Sequence, residues 1–294
     1  MKIGIIGRGF VGDTYFKFFN TKAKIGRKKS PIYVIDPKTN PENNYKGLLK
    51  FGPEIVYICV PTPMLSNGDV DISIVEDVIN RLEPIYKGVI VLKSTITPDK
   101  IFDLLDRSKD EDLKYRFVYY PEFLRENNAW EDLLCRPLQV LGGYPNAVNF
   151  VIDHLEKTIK YFKHTERGKF IHFRYQRTTV YEASMIKYFS NAYLATKITF
   201  FNELFKLADK KYMDFEVIRK ALESDERIGE GQTQVPGPDG KFGFGGACLP
   251  KDILAISNYA EGSLNLLDKV IEMNNETRSK YELSEREKIN KIKF

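Results

Sequence analysis

Over the first 160 residues, short apolar blocks alternate with longer stretches in which apolar side chains recur every three or four positions. Lys2–Ile6, Ile32–Ile35, Glu54–Val60, Val89–Leu92, Arg116–Tyr120 and Leu138–Leu141 are rich in Val, Ile and aromatic residues and read as buried strands. Val11–Phe19, Ile72–Leu82, Lys100–Leu105, Glu122–Leu134 and Ala147–Phe162 carry the helical period. Strands that alternate with helices predict an α/β fold with a doubly wound parallel sheet. After Arg174 the pattern changes. Thr178–Lys211 holds no proline or glycine and is apolar at helical spacing, which predicts one helix of about 50 Å. Asp214–Glu223, Lys251–Tyr259 and Leu264–Glu282 complete a helical second part. The expected division is therefore residues 1–177 and 178–294. The glycine- and proline-rich loop Gly229–Gly246 is of a length that is functional or disordered. The charged end from Ser284 is expected to fray.

Bulk chemistry narrows the class. The 294 residues include 45 basic and 40 acidic side chains, and the net charge of +5 is spread along the chain. The densest basic cluster, Arg27-Lys28-Lys29, reads as a solvated loop, which argues against a nucleic-acid partner. The three cysteines are far apart and have neither metal-ligand nor disulfide spacing. No histidine pair marks a metal site, so no metal is expected and a reduced, cytoplasmic setting fits. The chain opens directly in a strand, with no leader expected, and no apolar run approaches the ~20 residues of a membrane span.

The first strand runs into Gly7-Arg8-Gly9-Phe10-Val11-Gly12 at the start of a helix. This is the GxGxxG turn, in which the backbone approaches a pyrophosphate at a helix N-terminus. The second strand ends in Asp36, a carboxylate able to accept from an adenosine ribose and to repel the extra phosphate of NADP. Lys38 and Arg27–Lys29 leave NADP as the alternative. Ligands collect at the carboxyl ends of strands in such sheets. Three further strand ends carry unusual chemistry: Pro61-Thr62-Pro63, Lys93-Ser94-Thr95 and Pro121-Glu122. Cys59 and Cys135 read as structural.

Phe242–Asp252 reads FGFGGACLPKD. Its glycines allow positive φ or close approach, and Pro250 suits the first turn of a helix. Cys248 is thus expected just before a helix N-terminus, where unpaired N–H groups favour a thiolate. The stretch alone leaves two readings, a nucleophile or an inert buried thiol.

GIIGRGFVG, VYICVPTPM, LKSTITPD, YYPEFLRENNAWEDL, EASMIKYFSNAYLATKITFFNEL, DERIG and FGFGGACLPKD, in this order and spacing, resemble the UDP-glucose/GDP-mannose 6-dehydrogenases over about residues 1–280. The resemblance implies a Rossmann NAD domain, a central helical domain whose long helix builds a homodimer, and a further Rossmann-like domain over the nucleotide. Residues to 294 do not carry that last domain, so a chain lacking it is expected.

The implied activity is the NAD-dependent, four-electron oxidation of a nucleotide sugar at C6, with UDP-glucose as the expected substrate and UDP-glucuronate as product. A bare aldehyde is a poor hydride donor until a nucleophile adds to it. Cys248 matches the family nucleophile, which supplies a thiohemiacetal and then a thioester. Lys187 and Asn191, four apart on one helix face, match its oxyanion pair. Asp252 matches its water-binding acid and Glu122 its general base. Glu126 would share a helix side with Glu122 near substrate and cofactor. Thr95 matches the hydroxyl near nicotinamide and water. Gly7, Gly9, Phe10, Val11, Gly12, Asp36, Pro61, Thr62 and Lys251 fall at cofactor-binding positions. Phe123, Leu124, Phe242 and Gly245 fall at substrate positions, and Arg227 at the place of an arginine that reaches the neighbouring subunit's substrate. Tyr120 departs from the Asn usual before this Pro-Glu, and Pro236–Gly240 departs from the compact family loop. GDP-mannose as substrate, a two-electron dehydrogenase and a non-catalytic binder of NAD or sugar nucleotide remain the alternatives.

Overall fold

The computed structural model describes residues 2–26, 31–125, 128–135, 138–160 and 173–294; for 22–26 and 135 it describes the backbone alone. Expectations that fall on Arg27–Lys29, Glu126, His164 and His172, and on the last residues of the helix expected to Phe162, lie outside these. The chain forms two compact units, Met1–Thr62 with Ile72–Lys187, and Pro63–Asp71 with Tyr188–Phe294.

The first unit is built on a seven-stranded sheet. Its strands are β1 (Ile3–Ile6), β2 (Ile32–Ile35), β3 (Ile55–Ile58), β4 (Val89–Leu92), β5 (Phe117–Tyr119), β6 (Leu138–Gly143) and β7 (Arg174–Thr178), in the order β2-β1-β3-β4-β5-β6-β7. β1, β3 and β5 are buried at every position, as strands covered on both faces must be, which is why they read as unbroken apolar runs. The helices α1 (Phe10–Gly26), α2 (Tyr45–Phe51), α3 (Ser73–Leu82), α4 (Pro98–Asp106), α5 (Leu113–Arg116), α6 (Ala129–Cys135) and α7 (Pro145–Ile159) connect the strands. One core layer joins Phe18 and Phe19 of α1 to Ile5, Tyr57, Val91 and Val118 of the sheet and to Val151 and Leu155 of α7. β1 is flanked by β2 and β3, so the chain leaves it in opposite directions and opens a crevice at its carboxyl end.

α8 (Val180–Lys210) is one unbroken helix of 31 residues. The second unit adds α9 (Phe215–Glu223), α10 (Leu249–Tyr259), α11 (Asn265–Arg278) and α12 (Glu285–Ile289). Phe201, Ala208, Phe215 and Val235 form a core cluster in this unit, with Phe205 and Phe242 packed against it.

The structure corrects four expectations. The sheet is not wholly parallel, because β6 runs antiparallel to β5 before β7 resumes parallel to β6. Glu122–Leu134 is not one helix. Pro121–Arg125 is irregular and α6 begins only at Ala129, and two carboxylates take main-chain N–H groups of the irregular stretch. Glu122 Oε2 accepts from the N–H of Leu124 at 2.5 Å, and Asp132 Oδ2 from that of Arg125 at 2.6 Å. The polar edge strand β7 and the short helix α2 have no counterpart in the apolar pattern. Finally, the charged end does not fray in the structure. Ser284 and Glu287 form a reciprocal capping box, and Glu287 is buried. Among the described residues no helix is long and apolar enough to cross a membrane.

Candidate active site

At the carboxyl end of β1 the three fingerprint glycines serve different ends. Gly7 has a φ of +88°, and a Cβ there would meet Cys59 O at 2.7 Å. A Cβ on Gly12 would lie 2.0 Å from Gly7 O, so this glycine lets α1 close on the turn. A Cβ on Gly9 would meet no protein atom within 4 Å. Nothing in the protein demands glycine at that position, whereas close approach of a dinucleotide phosphate to the backbone does. Phe10 and Val11 open α1, whose N-terminal amides favour anions. Asp36 Oδ2 accepts from the N–H of Arg8 at 2.7 Å, tying the end of β2 to the turn. Burial works against the Asp36 charge, but the N–H donors of Arg8, Thr39 and Lys38 outweigh it and hold the carboxyl below its ordinary range. A carboxylate retains acceptor capacity for ribose hydroxyls beyond these bonds, so the crevice fits NAD. The Arg8 guanidinium stacks over the Phe16 ring at 3.9 Å and donates to Asp13 at 3.1 Å.

The ends of the neighbouring strands are laced together. Thr62 donates to Thr95 O at 3.0 Å and Ser94 to Val60 O at 2.7 Å. Ser184, in the first turns of α8, donates to Ile96 O at 2.7 Å. Thr95 is half-buried and Pro61 exposed. One turn further along α8, Lys187 Nζ reaches Glu122 Oε1 at 3.3 Å, with both side chains buried, and lies 5.5 Å from the centre of the Phe123 ring. Leu124 packs against the core.

Beneath this pair lies a lysine to which no role attaches in the sequence reading. Lys93 is buried; its Nζ sits 3.3 Å from the centre of the Tyr120 ring and 4.3 Å from that of Tyr15, and donates to Tyr120 O at 2.7 Å. Burial pushes the ammonium down to about 7, against the raising influence of Cys59 and Glu122 and alongside the repulsion of Lys187. Tyr120 also donates to Gln139 at 2.5 Å. Burial raises the Cys59 thiol to about 12, in keeping with a core cysteine.

In the second unit, Cys248 is the exposed N-cap of α10 and is in no disulfide. Asp252, one turn into that helix, is buried and accepts from Asn191 Nδ2 at 2.6 Å and from Lys251 Nζ at 2.5 Å. Gly245 precedes the thiol in a buried polar setting described below. Phe242 turns its ring into the core cluster, edge-on to Phe205 at 5.2 Å. Arg227 is exposed and paired with Asp225 at 2.5 Å.

Residues 42–160 match the NAD binding domain, and residues 181–276 the central domain, of the UDP-glucose/GDP-mannose dehydrogenase family. The chain belongs to this family. It is 36% identical over 294 aligned positions to a UDP-glucose 6-dehydrogenase of Rickettsia felis, an alignment that covers 94% of this chain and 62% of the relative. A UDP-glucose dehydrogenase from the hyperthermophilic archaeon Pyrobaculum islandicum shares the fold with a TM-score of 0.73 at 24% identity, covering 94% of this chain and 68% of that one. A GDP-mannose dehydrogenase of Pseudomonas aeruginosa does so with a TM-score of 0.61 at 22% identity, covering 95% and 70%. The chain thus spans about 62% of the Rickettsia relative's length. The family's NAD-binding domain makes NAD the cofactor of the first unit.

Of the positions that carry the family resemblance, Lys187 and Glu122 meet in one buried pair, and Asn191, Lys251 and Asp252 in one buried cluster. Lys251 is committed to Asp252, and Phe242 to packing. Asp132 is a polar group that sequence reasoning passed over, and Lys93, singled out there only as part of a strand end, received no role. Lys93 carried a signal, a lysine closing an otherwise apolar strand.

Two outcomes follow from this geometry. Gly9→Ala leaves the melting temperature within a few degrees of the parent but weakens NAD binding at least tenfold by calorimetry, whereas Gly12→Ala lowers the melting temperature itself. For Lys93 the unfolded chain keeps its proton to about pH 10.4 while the folded one holds it only to about 7. Between those values the unfolded state binds more protons, so stability rises with pH. Urea unfolding of wild type against Lys93→Met therefore shows wild type gaining by up to about 1.4 kcal/mol per pH unit across that window, with no further change below it.

Proposed function

We propose that this chain is a nucleotide-sugar 6-dehydrogenase that oxidises UDP-glucose to UDP-glucuronate. The observation that carries the reading is the buried bond from Asn191 to Asp252, one turn inside the helix that begins at an exposed Cys248. It joins an oxyanion donor to an acid 61 residues away, on the helix that the nucleophile caps. The UDP-glucose 6-dehydrogenase of Rickettsia felis supports UDP-glucose as the sugar nucleotide.

NAD, when bound, accepts one hydride from C6 in each of two rounds. Loss of the first hydride and the hydroxyl proton leaves an aldehyde. Cys248 adds through its thiolate to the C6 carbonyl, and Lys187 and Asn191 donate to the oxyanion that forms. As the second hydride leaves, the oxyanion collapses and Cys248 holds the sugar as a thioester. Glu122 takes a proton from water, with Asp252 and Thr95 orienting it, and hydroxide displaces the sulfur to give carboxylate and free thiol. Asp36 excludes the extra phosphate of NADP by its charge. A thiol that must stay reduced suits the cytoplasm.

The reading extends to assembly. Ile186, Tyr193, Phe200 and Leu207 are exposed and spaced by seven along α8, a single apolar stripe that suits a second copy of the helix. Arg227 would then serve the neighbouring subunit's substrate.

Wild-type enzyme yields two NADH per UDP-glucose consumed, and Cys248→Ala yields no uronate; a Cys248→Ala protein that forms uronate at the normal rate would sink the mechanism. Asn191→Ala lowers kcat by about 10²- to 10³-fold, ~3 kcal/mol at the transition state. Light scattering gives the mass of a dimer for wild type and of a monomer for the double variant Tyr193→Asp, Phe200→Asp.

A further inference from the structure

The four residues Gly243–Gly246, just before Cys248, are held by side chains from three distant helices. Gly243 N–H donates to Asn202 Oδ1 at 2.9 Å. Phe244 is gripped on both sides of its peptide by Asn274, which accepts from its N–H at 2.7 Å and donates to its carbonyl at 3.1 Å. Gly246 N–H donates to Glu287 Oε1 at 2.9 Å. Arg278 locks the carboxylate, donating through Nη2 to Glu287 at 3.0 Å and through Nη1 to Asp239 at 2.8 Å. The second Glu287 oxygen accepts from Ser284 N–H at 2.7 Å.

All four supporting side chains are more than nine-tenths buried: Asn202 at 7% exposure, Asn274 at 3%, Arg278 at 2% and Glu287 at 1%. The glycines are shaped to them. Gly243 and Gly246 have φ of +73° and +82°, and a Cβ on Gly245 would lie 1.8 Å from Arg278 Nη2. Burying four polar side chains around a surface loop is costly unless they find partners; here the backbone of one short segment bonds Asn202, Asn274 and Glu287, and the Glu287 and Asp239 carboxylates take up Arg278. None belongs to the chemistry assigned above.

We propose that Asn202, Asn274, Arg278 and Glu287 are positioning residues that clamp Gly243–Gly246 and so hold the Cys248 thiol at the N-terminus of α10. The proposal rests on the reading of Cys248 as the nucleophile. Burial opposes the Glu287 charge, but Ser284, Gly246 and Arg278 together bring its carboxyl down to about 2, so the clamp stays charged throughout the neutral range. A helix N-terminus favours a thiolate only if the sulfur is kept against it. Loosening the clamp therefore costs the thiol its low-pH reactivity before it costs the protein its fold.

The test is alkylation of Cys248 by iodoacetamide as a function of pH, read by peptide mass spectrometry on the full chain without nucleotide. Wild type is expected to react with a midpoint below the about 8.5 of an ordinary cysteine. In Glu287→Ala and Arg278→Met the midpoint moves up by about one unit and alkylation at pH 7 slows several-fold, while Arg278→Lys recovers part of the shift. Should the two truncations fail to fold, as judged by circular dichroism, Glu287→Gln and Ser284→Ala carry the same test with smaller shifts in the same direction. Folded variants whose alkylation profile coincides with wild type overturn the clamp, even if turnover falls. Because the readout needs no turnover, a shifted profile in a protein that makes no uronate keeps the clamp and removes the proposed function instead.

Discussion

A single buried ion pair organises the segment that follows β5 in the first unit. Lys187 and Glu122 come together at 3.3 Å from positions 65 residues apart. Taking two such charges out of water costs several kcal/mol per ion unless the geometry and further hydrogen bonds offset it. Both conditions leave their mark on the surroundings. Glu122 spends its second oxygen on the N–H of Leu124, within the irregular stretch Pro121–Arg125. Asp132 and Arg125 brace the far end of the same segment, and Lys93 anchors the carbonyl just before it. The irregular backbone here is what a buried carboxylate requires.

What could be read from the sequence follows from the range of the forces involved. Apolar runs and helical periods are local, so six of the strands and the length of α8 were legible within a residue or two, as was Cys248 at the head of α10. β7 was not legible. Arg174–Thr178 is an edge strand with mostly exposed side chains, and only its backbone pairing makes it a strand. Glu122–Leu134 carries helical spacing, yet only Ala129 onward is helical, and the irregular residues before it give main-chain N–H groups to two carboxylates. Arg278 and Glu287 look like any surface charges in a polar tail. Their loop partners, Asp239 and Gly246, lie 39 and 41 residues earlier, and no local pattern encodes that.

Polar and apolar forces divide the work in the second unit. Phe201, Phe205, Phe215 and Phe242 exclude water without fixing direction. The asparagines, arginine and glutamate around Gly243–Gly246 contribute little net stability for their number, because each bond replaces one to water. Their contribution is direction, since their bonds are made to particular main-chain groups of Gly243–Gly246. Gly245 is needed for the absence of a side chain where Arg278 lies, and Gly243 and Gly246 for their positive φ.

The reversal at β6 has a consequence for α8. Because β6 and β7 run against β5, the chain leaves β7 near the level of Tyr119, to which Gly142 and Thr178 are matched in register. Tyr119 is the last residue of β5, so α8 starts at the carboxyl end of the sheet, where Glu122 also lies. The seven residues from Val180 to Lys187 rise about 10 Å, and each turns the helix by about 100°. Those two turns act as a ruler. One residue more or fewer would leave the ammonium near the right height but swing it away from Glu122. The segment is therefore intolerant of insertion and deletion even where its individual side chains are replaceable, a constraint of length rather than of composition.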